Sequence, residues 1–146
     1  MDINVLSAYQ TTAEEFFDKV IAWKTDLVLD VRLKNTNQLA GFTKQEDLAY
    51  FTRVIAHADY AHDVEFSPSK TLLDQYLDHG MSYEDYFAAY KKEMEQRDAI
   101  PAFFEKYGRY RSIAIVGTAT DKRRSHAEEL RALLEEHLAT RAKAKA

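Results

Sequence analysis

The residues best suited to chemistry in this sequence stand where three apolar segments end. They are polar pairs, each with one residue between its members: Ser7 and Tyr9, Asp30 and Arg32, and Thr118 and Thr120. Parallel strands bring their carboxyl ends to one edge of a sheet, and open α/β sheets bind ligands at that edge. We therefore predict that these six side chains contribute to one ligand-binding site.

Asp30 and Arg32 form the most informative of these pairs. Asp30 follows the apolar run Leu27–Leu29, so its carboxylate is expected to be largely buried and to need hydrogen-bond donors. Arg32 lies two residues further on, which is the same face of a continuing strand. Two interpretations remain open: a structural ion pair that orders the following loop, or an arginine held by Asp30 and aimed at an anionic substrate. A carboxylate at this place is also a candidate general base.

A second group of candidates lies around residue 126. Ser125 and Glu128 have the spacing of a capping box, which predicts a helix that begins here and places His126 in its first turn. The helix dipole there favours a neutral imidazole, which can accept or donate a proton. The alternative is that His126 only packs or is solvated.

The basic run just before this helix suggests an anion. Lys122, Arg123 and Arg124 stand beside the free N–H groups of a helix start, and we include Arg124 and Ser125 among the ligand-binding candidates. The loop lacks the glycines of a phosphate-cradling motif. A solvated run of charges is therefore the competing explanation.

A different class of function is a non-catalytic interaction module. Aromatic and basic residues alternate near residue 110, and a local basic patch could contact nucleic acid through Arg109, Arg111, Lys122, Arg123 and Arg124. The formal net charge of −4 argues against a general nucleic-acid binder. Salt dependence separates the two hypotheses, because binding to a phosphate backbone weakens steeply as salt rises.

Composition excludes several kinds of site. The chain has no cysteine, which excludes a disulfide framework and a thiolate nucleophile. The histidines and aspartates between His57 and Asp63 match no familiar metal motif, so no metal and no cofactor are predicted. No apolar segment is long enough to span a membrane, and Met1–Asn4 shows no signal sequence. We expect a cytoplasmic protein whose partner is a small anionic molecule.

Strand and helix patterns alternate along the chain. Strands are predicted at Ile3–Leu6, Leu27–Val31 and Ile113–Val116, with an edge strand within Tyr60–Phe66. Capping boxes at Thr12 and Thr43 predict helix starts, and the second of these helices should bury Leu48, Phe51, Val54 and Ile55. The pattern predicts an α/β fold, a three-layer αβα domain with a small, mostly parallel sheet of about four strands.

The 146 residues show no linker and no internal repeat. We predict one domain over residues 1–140. Residues 141–146 have no apolar stripe and are expected to form a frayed basic tail.

Several short motifs, in this order, resemble those of an uncharacterised conserved family, domain of unknown function 488. They are Asp30-Val31-Arg32, Ser67-Pro68-Ser69-Lys70, Tyr83-Glu84-Asp85-Tyr86-Phe87, the strand Ile113–Val116, and His126-Ala127. The resemblance covers nearly the whole chain. It implies the same fold and the same site, but names no reaction, because the family has no settled activity.

The sequence departs from many members of that family at two positions. Many members carry cysteine at the end of the last strand, where this chain has Gly117, and again at the helix start, where it has Ser125. The chain is thus more similar to a branch without these cysteines. A mechanism based on a thiol is excluded for it.

Overall fold

The structure, a computed structural model, describes residues 1–36 and 38–145, with the backbone alone for residues 38–40 and 145. Its sheet has four strands: β1 (Asp2–Ser7), β2 (Leu27–Asp30), β3 (Asp59–His62) and β4 (Ser112–Gly117). Their order is β1-β4-β2-β3, and every pairing is parallel. The prediction of a small parallel sheet with β3 at its edge is confirmed.

Helices fill the connections between these strands. Their bounds are α1 Ala13–Ala22, α2 Gln45–Ala56, α3 Lys70–Asp78, α4 Tyr83–Gln96, α5 Ala99–Tyr107 and α6 His126–Lys145. Side-chain caps fix several of the starts: the hydroxyl oxygens of Thr12, Ser69 and Ser82 each accept from the amide three residues ahead, at 3.1–3.2 Å.

The helices cover the sheet on both faces, so the fold is the predicted three-layer αβα arrangement. Helices α1 and α2 pack with Val28, Ala114 and Val116 on one face. Helices α3 to α6 pack with the alternate residues of the same strands, including Leu29 and Ile115, on the other. Strands β2 and β4 are buried along their whole length, which explains their uninterrupted apolar sequences.

Helix α2 differs from its prediction. It begins at Gln45 with Lys44 as its N-cap, and Thr43 lies fully buried in the preceding turn, where its hydroxyl donates to the Ala8 carbonyl at 3.1 Å. Leu48 is buried as predicted, but Val54 and Ile55 are exposed. The prediction for these two residues is wrong, because the helix is rotated so that Leu48 and Thr52 face the sheet.

The last helix continues to Lys145, past the point where the sequence suggested a frayed tail, and residues 141–144 on it are exposed. Fraying of this end in solution stays a prediction. Among the described residues, no helix combines the length and the apolar character needed to cross a membrane.

Candidate functional site

A cavity of about 300 Å³ opens at the carboxyl ends of β1, β4 and β2. Its walls are formed by Tyr9, Arg32, Leu33, Lys34, Leu73, Leu77, Thr118, Arg123 and His126. The chain runs from β1 to β2 and β3 with its helices on one face, then returns to β4 with α3 to α5 on the other. The crevice lies where that direction reverses, which is the usual ligand position of such sheets. Four of the predicted site residues line it: Tyr9, Arg32, Thr118 and His126.

Asp30 is completely buried beneath this cavity and its carboxylate is saturated with donors. Arg32 binds it through two nitrogens, Nε to Oδ1 at 2.8 Å and Nη2 to Oδ2 at 2.7 Å. Oδ2 also accepts from Asn35 Nδ2 at 3.0 Å and from the Tyr60 hydroxyl at 2.7 Å. The backbone N–H of Arg32 lies 3.3 Å from Oδ1. This carboxylate has no lone pair left for a substrate, so the geometry does not fit the general-base role suggested for Asp30.

The charges of this network reinforce one another. Burial by itself would raise the pKa of Asp30, but the hydrogen bonds and charge of Arg32 outweigh it and lower that pKa. Burial likewise opposes the charged guanidinium, yet Asp30 raises the pKa of Arg32. Burial and the negative charge of Asp30 raise the pKa of Tyr60, which remains a neutral donor. The pair is therefore ionised at neutral pH and its net charge is zero.

Two N–H groups of the Arg32 guanidinium have no acceptor among the residues that the structure describes. The guanidinium carries five N–H donors; two of them go to Asp30, and a third goes to the Thr43 carbonyl at 2.6 Å from Nη2. No described residue accepts from Nη1. Arg32 is only 1% exposed and lines the cavity, so Nη1 offers directional donors at a largely dry place.

His126 is buried and held in one tautomer. Its Nε2 lies 2.8 Å from the Val31 carbonyl oxygen, which can only accept, so Nε2 carries the proton. Nδ1 is then an acceptor, and it is buried without a partner among the described residues. Burial lowers the pKa of His126 to about 4, although the bond to Val31 acts in the opposite direction. The ring is neutral at pH 7, as the sequence suggested.

Two histidines fix the chain that follows β2. His62 Nε2 donates to the Arg32 carbonyl at 2.7 Å, and His126 donates to the carbonyl of Val31. The Val31 carbonyl also accepts from Ser67 Oγ at 2.8 Å. These three bonds hold the backbone that carries Arg32 and Leu33 into the cavity wall.

The remaining predicted residues lie around the cavity rather than in its walls. The Ser7 hydroxyl donates to the Ala119 carbonyl, and Thr120 Oγ1 accepts from the Lys122 amide at 3.3 Å. Ser125 Oγ accepts from the Ala127 amide at 3.3 Å, which makes it a cap of α6. These three residues shape the loops of the site.

Arg124 was a ligand-binding candidate in the sequence, but it does not line the cavity. Its guanidinium lies 4.1 Å from the centre of the Tyr83 ring and bonds Glu128 at 3.0 Å. Glu128 is thus used by Arg124 rather than by a reciprocal capping box. Arg123, one residue earlier, lines the cavity instead.

Gly117 joins β4 to the start of α6 by a very close approach. A Cβ at this position would lie 2.5 Å from Ala127 Cβ and 2.6 Å from Ser125 Oγ. Only glycine permits this contact without a shift, and the contact sets where His126 meets the cavity. Positions 117 and 125 therefore lie side by side.

The basic residues proposed for nucleic-acid binding do not form one patch. Arg109 and Arg111 precede β4, whereas Lys122–Arg124 follow it, and a six-residue strand separates its ends by about 20 Å. Arg109 stacks on Tyr110, with its guanidinium carbon 4.5 Å from the ring centre. The two groups therefore lie at opposite ends of the strands, the first at the amino end of β4 and the second at its carboxyl end.

Residues 1–36 and 38–145 contain no group of three or more His, Asp or Glu side chains that could hold a metal ion. Of the cluster considered in the sequence, His62 bonds the Arg32 carbonyl, and Asp63 accepts from Tyr107 at 2.7 Å and Lys106 at 3.2 Å.

Sequence reasoning identified Arg32 as a partner of Asp30 but missed the other side chains that bond this carboxylate, and it missed one wall of the cavity. Asn35 and Tyr60 hold the carboxylate, but Tyr60 comes near only because β3 pairs with β2. Leu73 and Leu77 lie four residues apart, which places them on one face of α3. No signal in the sequence showed that this face borders a cavity.

Comparison with known families gives one match. The model of the family described as "Domain of unknown function DUF488" matches residues 12–134 of this chain. The chain belongs to this family. Searches of curated proteins and of solved structures found no match. The DUF488 match covers β2, β3, β4 and the first half of α6, and so includes every cavity residue except Tyr9.

Proposed function

We propose that this DUF488 protein binds a small anionic molecule in the cavity at the carboxyl ends of its strands. The observation that carries the proposal is the guanidinium of Arg32, which is buried, is fixed by Asp30 and Thr43, and has no acceptor for its two Nη1 donors among the described residues. A fixed planar fork of this kind suits an oxyanion, because it loses little freedom when the anion binds.

The other charges around the cavity support an anion as well. Lys34 and Arg123 line it beside Arg32, and no carboxylate lines it among the described residues. Since Asp30 neutralises Arg32, the net positive charge comes from Lys34 and Arg123, while Arg32 supplies directed hydrogen bonds. Thr118 adds a hydroxyl that can donate or accept.

Turnover of the ligand has less support than binding. His126 is the candidate for proton transfer, but a pKa of about 4 makes its ring a weak base at neutral pH. Its free Nδ1 acceptor suits a hydrogen bond from a hydroxyl or a protonated oxyanion. We therefore propose His126 as a ligand-orienting residue. The cytoplasmic location expected from the sequence stays a prediction.

The test is amide chemical-shift mapping during a titration with inorganic phosphate. We expect saturable shifts in residues 30–34 and 117–126. Arg123→Gln should weaken binding severalfold, because it removes a cation from an exposed position where the fold does not need it. Arg109→Gln, at the opposite end of the strands, is the matched control and should have no effect. Shifts confined to residues 109–111 would overturn the proposal in favour of an interaction module.

A further inference from the structure

We propose that the ligand of this cavity is a compact organic oxyanion with an apolar aryl or branched-alkyl group, rather than inorganic phosphate or a nucleotide. The inference rests on the proposed function and narrows it. Two observations carry it, the apolar wall of the cavity and its size.

One wall of the cavity is apolar although it is open to solvent. Leu33 follows Arg32 directly, and Leu73 and Leu77 lie one turn apart on α3. The buried residue of that helix is Leu72, which packs in the core. Leu73 and Leu77 thus present a second face toward the cavity, and Leu77 remains 37% exposed. Apolar side chains at a ligand site gain free energy when an apolar part of the ligand covers them.

A hydrogen bond links the helix that carries the apolar wall to the loop that carries Arg123. The Tyr76 hydroxyl, between the two leucines on α3, donates to the Arg124 carbonyl at 2.9 Å. The neighbouring residue Arg123 lines the cavity. Helix α3 and the loop before α6 are therefore tied together, so one ligand can touch leucines and cationic groups at the same time.

The volume of the cavity corresponds to about a dozen non-hydrogen atoms. An apolar cavity of about 150 Å³ accommodates benzene, with its six carbons, and this cavity has about 300 Å³. A nucleoside monophosphate has roughly twice as many atoms as would fit by that measure. Inorganic phosphate fills only a part of the space and leaves the leucines uncovered. A small aryl or alkyl phosphate or carboxylate matches both the size and the two walls.

The experiment compares matched pairs of probes by calorimetry and amide shift mapping: phenyl phosphate against inorganic phosphate, and benzoate against acetate. Adenosine monophosphate is the large probe. We expect the aryl member of at least one pair to bind at least tenfold more tightly than its small partner, and adenosine monophosphate to bind more weakly than phenyl phosphate. Shifts should include residues 73–77 only for the aryl probes.

Variants separate the apolar contribution from the anionic one. Leu77→Ala should weaken the aryl probe about fivefold to tenfold and leave inorganic phosphate unchanged. Val64→Ala changes another exposed apolar residue, one that does not line the cavity, so it is the control and should change neither. If inorganic phosphate shifts residues 30–34 but both aryl probes bind no better than their partners, this inference fails and the proposed function stands. If no probe shifts these residues, both fail.

Discussion

At the scale of single residues, the ion pair between Asp30 and Arg32 has the geometry of the first interpretation of the sequence, a structural pair that orders the following loop, whereas a role of Arg32 toward an anion stays a proposal. It orders the loop, because Arg32 and Asn35 both bond the carboxylate and Arg32 bonds the Thr43 carbonyl. Arg32 also lines the cavity. A buried charge pair of this kind depends on both partners, because either charge alone would be stranded away from water.

The pair predicts a large loss of stability when its carboxylate is neutralised. Asp30→Asn should cost about 3–5 kcal/mol of unfolding free energy, because it strands the buried Arg32 charge. Glu128→Gln is the matched control: it breaks an arginine–carboxylate pair at the surface and should cost under about 1 kcal/mol. Urea denaturation of both variants and the parent measures this. Equal midpoints for the two variants would contradict the prediction.

Titration of His126 should make stability depend on pH in a range that lies above the range in which the carboxylates titrate. Its folded pKa of about 4 lies below the ordinary value of 6.5, so the unfolded chain binds more protons between these values. Stability should therefore fall by roughly 3 kcal/mol as pH drops from 7 to 4. The contribution of Asp30, whose pKa is lowered from 3.8, should be lost only below that range.

Denaturant melts at several pH values, on the parent and on His126→Gln, test this. The variant should be less stable at pH 7, but its stability should change less between pH 6.5 and 4. His79→Gln, which removes an exposed histidine, should keep the slope of the parent. An unchanged slope in His126→Gln would show that the ring titrates normally.

At the scale of elements, the junction of β4 and α6 decides the shape of the site. Gly117 lets the strand end touch Ser125 and Ala127 at the helix start. That contact places His126 under Val31 and lets Arg123 face the cavity. Bulk added here must push the helix start away from the sheet.

Gly117→Ala should therefore destabilise the protein by about 1–3 kcal/mol, as overpacking does. Adding Ala127→Gly removes the 2.5 Å contact, though not the 2.6 Å contact with Ser125 Oγ, at a cost of about 1 kcal/mol for glycine in a helix. The double variant should then be more stable than the sum of the single changes implies. A thermal or urea double-mutant cycle measures this coupling, and strict additivity would show that the junction relaxes without cost.

The cap of α6 gives a smaller effect. Ser125→Ala removes the acceptor of the Ala127 amide and should cost about 1 kcal/mol. Ser82→Ala, at the cap of α4, is the control and should cost about the same, because its oxygen accepts one amide in the same way. Urea melts measure both costs, and amide chemical-shift maps should show altered shifts around His126 in the Ser125 variant alone. Altered shifts there in both variants would contradict a local role.

At the scale of the whole molecule, the two central strands are shared by both hydrophobic layers. Strands β2 and β4 are buried on both faces, and β1 and β3 flank them. Hydrogen exchange should thus be slowest at residues 28–29 and 114–115, near the rate of global unfolding, and fastest at residues 141–145. Exchange of 141–145 as slow as that of Leu130 and Leu134, which are buried, would contradict a frayed tail.

The sequence by itself determined the parts of this protein that depend on local order. The period of apolar residues gave the four strand segments, and Thr12 and Ser125 gave helix starts, because a cap acts within one turn. Apolar runs without alternation implied strands covered on both faces, hence a parallel sheet and a ligand site at its carboxyl edge. The family resemblance agreed with that fold.

Only the tertiary structure decided which side chains meet at that edge. Strand order placed β4 between β1 and β2, and thereby brought Thr118 and His126 beside Arg32. The conformation of the loop turned Arg123 into the cavity and Arg124 onto Tyr83, although the two are adjacent in sequence. Rotation of α2 exposed Val54 and Ile55, and pairing of β3 with β2 delivered Tyr60 to Asp30. These outcomes depend on contacts between residues distant in the chain, and local periodicity carries no information about such contacts.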